Sequence, residues 1–163
     1  MDAEHIPASD YLMGSDLDYS HPEVEADVLA WGRWLADQLP LKGIRFDAIK
    51  HFSADFLEKF VQQMDEKYGK GWFFVGEFWK DSLEDMNNYL DRMDQKFSLF
   101  DAPLVHNFSA ISQAEGADLR QVFDDTLVQC RPVNAVVSTY TNPHALWECE
   151  SNVLTSLCTR PWS

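Results

Sequence analysis

The sequence predicts an α/β fold built on parallel strands. Three observations predict it. Segments of helical apolar period alternate with short strand-like runs, one of those runs (Trp72 to Phe78) is apolar almost throughout, and strand starts recur near residues 43, 72, 97 and 133. A strand apolar on both sides suits a parallel sheet covered on both faces, and strand–helix alternation implies right-handed crossovers between parallel strands. The intervals approach the roughly 31 residues per unit of an eight-stranded β/α barrel of about 250 residues. A chain of 163 residues is too short for eight such units and suits about one domain. Two architectures therefore stand: a small doubly wound sheet, which composition alone favours, or a piece of a barrel.

The elements follow in order. His21-Pro22 opens a helix over Asp27 to Leu39, with Val24, Val28, Trp31 and Leu35 at helical spacing. Gly43 to Ile49 reads as the first strand. Ser53 caps the next helix, whose apolar stripe is Phe56, Leu57, Phe60, Val61, Met64 and Tyr68, and Gly69 and Gly71 end it. Trp72 to Phe78 is the second strand. Ser82-Leu-Glu-Asp85, a capping box with Asp in place of Glu, opens a helix through Met93 with Leu83, Met86 and Leu90 inward. Phe97 to Pro103 is the third strand. A helix follows over Asp118 to Val128, with Leu119, Val122, Phe123 and Leu127 inward, and Val133 to Val137 starts a fourth strand. From Ser138 to Ser163 no period is sustained, and this stretch reads as an irregular tail.

Composition narrows the function. With 27 acidic and 13 basic side chains the formal charge is −14, a surface that repels nucleic acid and anionic membranes and suits neutral or cationic ligands and divalent metals. Cys130, Cys149 and Cys158 form no CxxC pair and argue against a disulfide framework or a zinc site. The N-terminus shows neither a basic nor an apolar leader region, and no apolar run approaches a membrane span, so a soluble, cytoplasmic protein is expected. There is no GxGxxG, P-loop, HExxH or GxSxG motif, and His5, His106 and His144 are isolated.

Two constellations carry chemistry. Asp47 and Glu77 fall near the C-terminal ends of adjacent strands, one βα unit apart, on the rim where α/β folds place active sites. Carboxylates so placed can approach to about 5–5.5 Å, the separation of nucleophile and acid/base in retaining glycoside hydrolysis. Arg45, two residues before Asp47, shares its strand face and would keep it ionised, while Phe74, Phe78 and Trp79 would raise the pKa of Glu77 by desolvation. The alternative is that Asp47 caps a turn and pairs structurally with Arg45 or Lys50. The second constellation, Asp10 to His21, fails as an EF-hand: with Asp16 first, His21 stands where Gly is needed and Asp27 where Glu is needed. A calcium site of another kind, or simply acidic turn residues before a helix, remains.

On these residues the chain resembles the alpha-amylase family of glycoside hydrolases. Gly43-Ile-Arg-Phe-Asp-Ala-Ile-Lys-His51 looks like the family's fourth-strand motif and Phe74-Val-Gly-Glu-Phe-Trp79 its fifth. Tyr11 to Pro22 resembles the calcium-site segment of liquefying bacterial amylases and their intracellular fungal relatives, and Asp101-Ala-Pro-Leu104 the sixth strand of that subgroup. The resemblance runs from about Asp10 to Val137, with 138–163 outside it. It implies a partial (β/α)8 barrel, about four βα units corresponding to strands four to seven, acting on α-1,4-glucan with retention. Residue by residue it implies Asp47 as nucleophile, Glu77 as general acid/base, and Arg45 as the arginine bonded to the nucleophile. Lys50 and His51 match leaving-group-side contacts and Trp79 an aromatic wall there. Asp10, Asp16 and the His51 carbonyl match calcium ligands, and Asp18 an adjacent sodium or second-metal ligand.

The departures set further expectations. The family's first three strands find no counterpart before Asp10, and no Asn-His-Asp triplet follows Asn134-Ala-Val136, where the family's transition-state carboxylate belongs. The chain as given is expected to bind calcium weakly and to hydrolyse starch poorly or only to bind glucan, and a mis-spliced or mispredicted gene is the simplest origin of such a sequence.

Overall fold

A computed structural model describes residues 17–69, 71–80, 82–94 and 96–138. Asp10, Asp16, His5, His144, Cys149, Cys158 and the tail from residue 139 onward lie outside the described residues.

Helix α1 spans Pro22–Gln38. It begins five residues before the predicted Asp27, because Pro22 already supplies the fixed φ of a first helical turn. Strand β1, Gly43–Phe46, is shorter than the predicted run to Ile49. Ala48 takes left-handed backbone (φ 49°) and turns the chain into a 3-10 segment at Ile49–His51. Helix α2, Ala54–Tyr68, has the predicted cap, the Phe56 N–H donating to Ser53 Oγ at 3.3 Å, and ends at Gly69 with φ 85°. Its stripe of Phe56, Leu57, Phe60, Val61 and Met64 is buried. Strand β2, Phe73–Gly76, leads to helix α3, Leu83–Arg92, where the Asp85 N–H donates to Ser82 Oγ at 3.1 Å.

The second half departs further from expectation. Strand β3 is only Ser98–Phe100, and the residues predicted to extend it open a helix, α4, over Ala102–Gln113. Pro103 is the cause: in the first turn of a helix its missing N–H costs nothing, and Asp101 accepts the Leu104 N–H at 3.1 Å to cap the start. The single helix predicted over Asp118 to Val128 is instead a 3-10 segment, Leu119–Phe123, and a short helix α5, Leu127–Cys130. Asp125, at φ 53°, breaks the run. Val122 and Leu127 are buried as predicted, whereas Leu119 is 72% and Phe123 50% exposed. Strand β4 is Val136–Val137.

All four strands are parallel and lie in the order β1-β2-β3-β4, with Gly43 beside Phe73, Val75 beside Ser98 and Leu99 beside Val136. A doubly wound sheet reverses strand order at a switch point; this one never reverses. Right-handed crossovers all advancing one way put every connecting helix on one face, which is the wall of a barrel, so the doubly wound alternative falls. The core lies between sheet and helices, where Phe74 and Leu99 meet Leu57, Phe60, Met64, Met86 and Leu90. At Gly76, just before the rim, an added Cβ would stand 2.4 Å from Ile49 Cδ1 and 2.5 Å from Phe97 Cε1. Only a glycine lets these side chains close beneath the residue that follows, Glu77.

Candidate active site

Strand alternation builds the site. Arg45 and Asp47 lie two apart on the exposed face of β1, while Ile44 and Phe46 face the helices. Arg45 is in register with Val75, so Glu77, two residues on, shares that face one step further toward the rim. The ladder continues beyond the strands: the Glu77 N–H donates to the Phe46 carbonyl at 2.9 Å and the Ile49 N–H to the Glu77 carbonyl at 3.1 Å. Backbone bonds on both sides therefore fix Glu77.

One guanidinium joins the two carboxylates. Arg45 Nη2 lies 2.9 Å from Glu77 Oε2 and 3.2 Å from Asp47 Oδ1. The structure thus unites Arg45, Asp47 and Glu77 as predicted, with Glu77 the nearer partner. The carboxylates differ in surroundings: the Glu77 side chain is 4% exposed and that of Asp47 61%. Burial pushes the Glu77 carboxyl above its ordinary value, and a hydrogen bond with Asp47 together with that residue's charge pushes it further; the Trp79 indole and Arg45 pull it back. Trp79 is the aromatic that meets Glu77, its Nε1–H donating to Oε1. Phe74 and Phe78, expected around it, point the other way. Phe78 packs on Tyr89 of α3 at 4.8 Å between ring centroids, and Phe74 on Trp72 and Phe46.

Lys50 does not pair with Asp47 in the manner of the structural alternative; its Nζ donates to the Trp79 carbonyl at 3.1 Å. Phe100 was not foreseen: its ring lies 5.7 Å beneath the Arg45 guanidinium. The signal was present, since Phe100 follows Ser98 at the two-residue period of β3, and Ser98 is in register with Val75 and so with Arg45, which places Phe100 one step nearer the rim on the same face. Asp18 and His51 line one cavity of about 460 Å³, with Glu25 and Asp55 in the same wall. Ser20 donates to Asp18 Oδ1 from both its N–H (2.9 Å) and its hydroxyl (2.5 Å), which holds that carboxyl below its ordinary value. Among the described residues no group of three or more His, Cys, Asp or Glu side chains is placed to hold a metal ion. No helix among them is long and apolar enough to cross a membrane.

At its C-terminal rim the parallel sheet, in barrel order, carries a buried and an exposed carboxylate bridged by arginine. Comparison with known proteins finds what this framework is similar to. The chain is 43% identical over 128 residues to an alpha-amylase of Bacillus licheniformis, 40% to a glucan 1,4-alpha-maltohexaosidase of Bacillus sp. strain 707, and 35% to a cytoplasmic alpha-amylase of Escherichia coli K12. Each alignment takes in 78% of this chain and 25–26% of the relative, so the chain spans about a quarter of the length of the curated relatives it matches. Among solved structures, an Anoxybacillus alpha-amylase matches with a TM-score of 0.61 at 19% identity, over 76% of this chain and 30% of that one. An alpha-amylase of Geobacillus thermoleovorans complexed with acarbose matches with a TM-score of 0.58 at 20% identity, over 75% and 30%. No protein-family profile matches. The chain is related to the alpha-amylases and fits as a segment of their catalytic region, a partial (β/α)8 barrel.

Proposed function

We propose that the Asp47–Arg45–Glu77 cluster is the retaining glycoside-hydrolysis site of an alpha-amylase acting on α-1,4-glucan. The observation that carries it is the unlike setting of two carboxyls bridged by one guanidinium: one buried, with its proton held more tightly than usual, the other exposed. Such an asymmetric pair separates acid from nucleophile. Asp47 attacks the anomeric carbon while Glu77 passes its proton to the departing glycosidic oxygen, leaving a glycosyl ester on Asp47. Glu77, now ionised, takes a proton from water, and the water oxygen displaces Asp47 from the sugar. Lys50, His51 and Trp79 would line the leaving-group side. A fluorinated glycosyl fluoride that traps the ester tests this: mass spectrometry is expected to find the label on Asp47 and none in Asp47→Asn, and a label elsewhere overturns the reading.

In the 163-residue chain itself, turnover is expected to be low, or confined to weak glucan binding. The exposure of Asp47 supports this, since stabilising an oxocarbenium-like transition state needs a preorganised, water-poor cleft. A deficit of about 10²–10⁴-fold against a full-length relative on a blocked maltooligosaccharide is the expected outcome, and near-equal turnover, abolished by Asp47→Asn, overturns it.

Calcium enters the same reading as a structural ion joining the segment before α1 to the turn after β1. Asp10, Asp16 and the His51 carbonyl would hold it, and Asp18 would face an adjacent sodium or second metal. That Asp18 and His51 line one cavity supports a shared metal region, yet the three calcium ligands supply only part of the six to eight oxygens calcium takes. Affinity is therefore expected to be weaker than micromolar, and submicromolar binding by isothermal titration overturns that. Residence in the cytoplasm agrees with the Escherichia coli relative's description.

A further inference from the structure

Trp79 makes two bonds that a ring placed only to stack on a sugar does not need. Its indole Nε1–H donates to Glu77 Oε1, and its backbone carbonyl accepts from Lys50 Nζ at 3.1 Å. The other oxygen of Glu77, Oε2, takes Arg45 at 2.9 Å. The carboxyl is thus held at both ends, by a cation from β1 and by a neutral donor two residues further along its own segment. We propose that Trp79 is a positioning residue for Glu77, its indole N–H fixing the orientation of the carboxyl. This rests on the reading of Glu77 as the acid/base and adds to it.

The chemistry follows from the donor. An indole N–H can only donate, so it favours the ionised carboxylate and opposes burial and Asp47, which favour the proton. The charged groups facing Glu77 are Arg45, from β1, and Asp47, the residue that follows β1. Asp101, at the end of β3, has its oxygens engaged by the Leu104 and Val128 N–H groups, and Lys50 reaches only the Trp79 carbonyl.

The test follows the Glu77 carboxyl by carbon-13 NMR in the full 163-residue chain, its resonance assigned by loss in Glu77→Gln. In Trp79→Phe, which keeps an aromatic ring and removes the N–H, the midpoint is expected to rise by about one pH unit, a tenfold tighter hold on the proton. In the unaltered chain one indole proton resonance is expected to titrate with the same midpoint and to stop doing so in Glu77→Gln; this reading stands even where Trp79→Phe does not fold. An unmoved midpoint in folded Trp79→Phe, or no indole proton tracking Glu77, overturns the proposal. Neither measurement requires turnover, so the two failures are distinguishable: failure to label Asp47 would sink the catalytic reading while the indole still tracks Glu77, leaving Trp79 as a partner of the carboxyl without a catalytic role.

Discussion

The half of the sheet made by β1 and β2 and the half made by β3 and β4 are held by different means. In the first, two strands of four residues each lie under α2 and α3, whose apolar stripes are buried and whose starts are capped by serines three residues from the N–H they accept. In the second, strands of three and two residues are tied by bonds from side chains to distant backbone. Asp101 accepts Val128 N–H at 2.8 Å, Asn107 Nδ2 donates to the carbonyls of Val122 and Asp124, and Ser98 Oγ donates to that of Asn134. One half is packed; the other is laced. The two modes fail differently when a residue is removed.

The largest effect belongs to the packed half. Leu57 is fully buried, and Leu57→Ala is expected to cost about 2–5 kcal/mol in urea denaturation. Asp101→Ala comes next, at about 1–3 kcal/mol, stripping the acceptor from the buried Leu104 N–H and from the half-exposed Val128 N–H. Hydrogen exchange at Val128 should quicken with it, and Asp101→Asn, which keeps one oxygen, should cost less. Ser53→Ala removes a cap from the packed half at about 1 kcal/mol. Leu119→Ala, in the laced half, should fall within about 0.5 kcal/mol, because that side chain is 72% exposed. A cost near that of Leu57→Ala would mean a continuous amphipathic helix over 118–128 after all.

Glu77 gives the comparison a pH axis. Its folded carboxyl binds a proton more tightly than the unfolded one. Between the ordinary carboxylate value of 4.5 and its own higher one, the folded state therefore carries more protons, and stability falls as pH rises through that window. Denaturation followed across mildly acidic pH should show this fall in the native chain and a flatter profile in Glu77→Gln.

The same division explains what could be read from sequence. Apolar period and local caps are written within a few residues, so α2, α3 and the positions of β1 and β2 were legible. The pairing of Arg45 with Asp47 and the placing of Glu77 one unit on followed from a period of two and a repeat of one βα unit. The bond from Asp101 to Val128 spans 27 residues and leaves no local pattern, whereas the start of α4 is written locally, in Pro103 and the Asp101 cap three residues before Leu104, and the apolar run over 97–103 masked it. Leu119 and Phe123 kept a helical spacing that Asp125, in left-handed backbone, interrupts. Within the site, the types of the residues and the burial of Glu77 were legible, but its surroundings were not: Phe74 and Phe78 pack toward the helices, and only the Trp79 indole meets the carboxyl.

Strand order has a last consequence, for how the chain comes together in time. Among the described residues every strand pairs with the one a single βα unit away. Each unit can dock as soon as it is complete, without waiting for a distant segment to return, and the entropy of closing each loop is that of a short excursion. During synthesis β1, α2 and β2 can assemble while β4 is still to be made, so the rim carrying Arg45, Asp47 and Glu77 forms before the rest of the sheet.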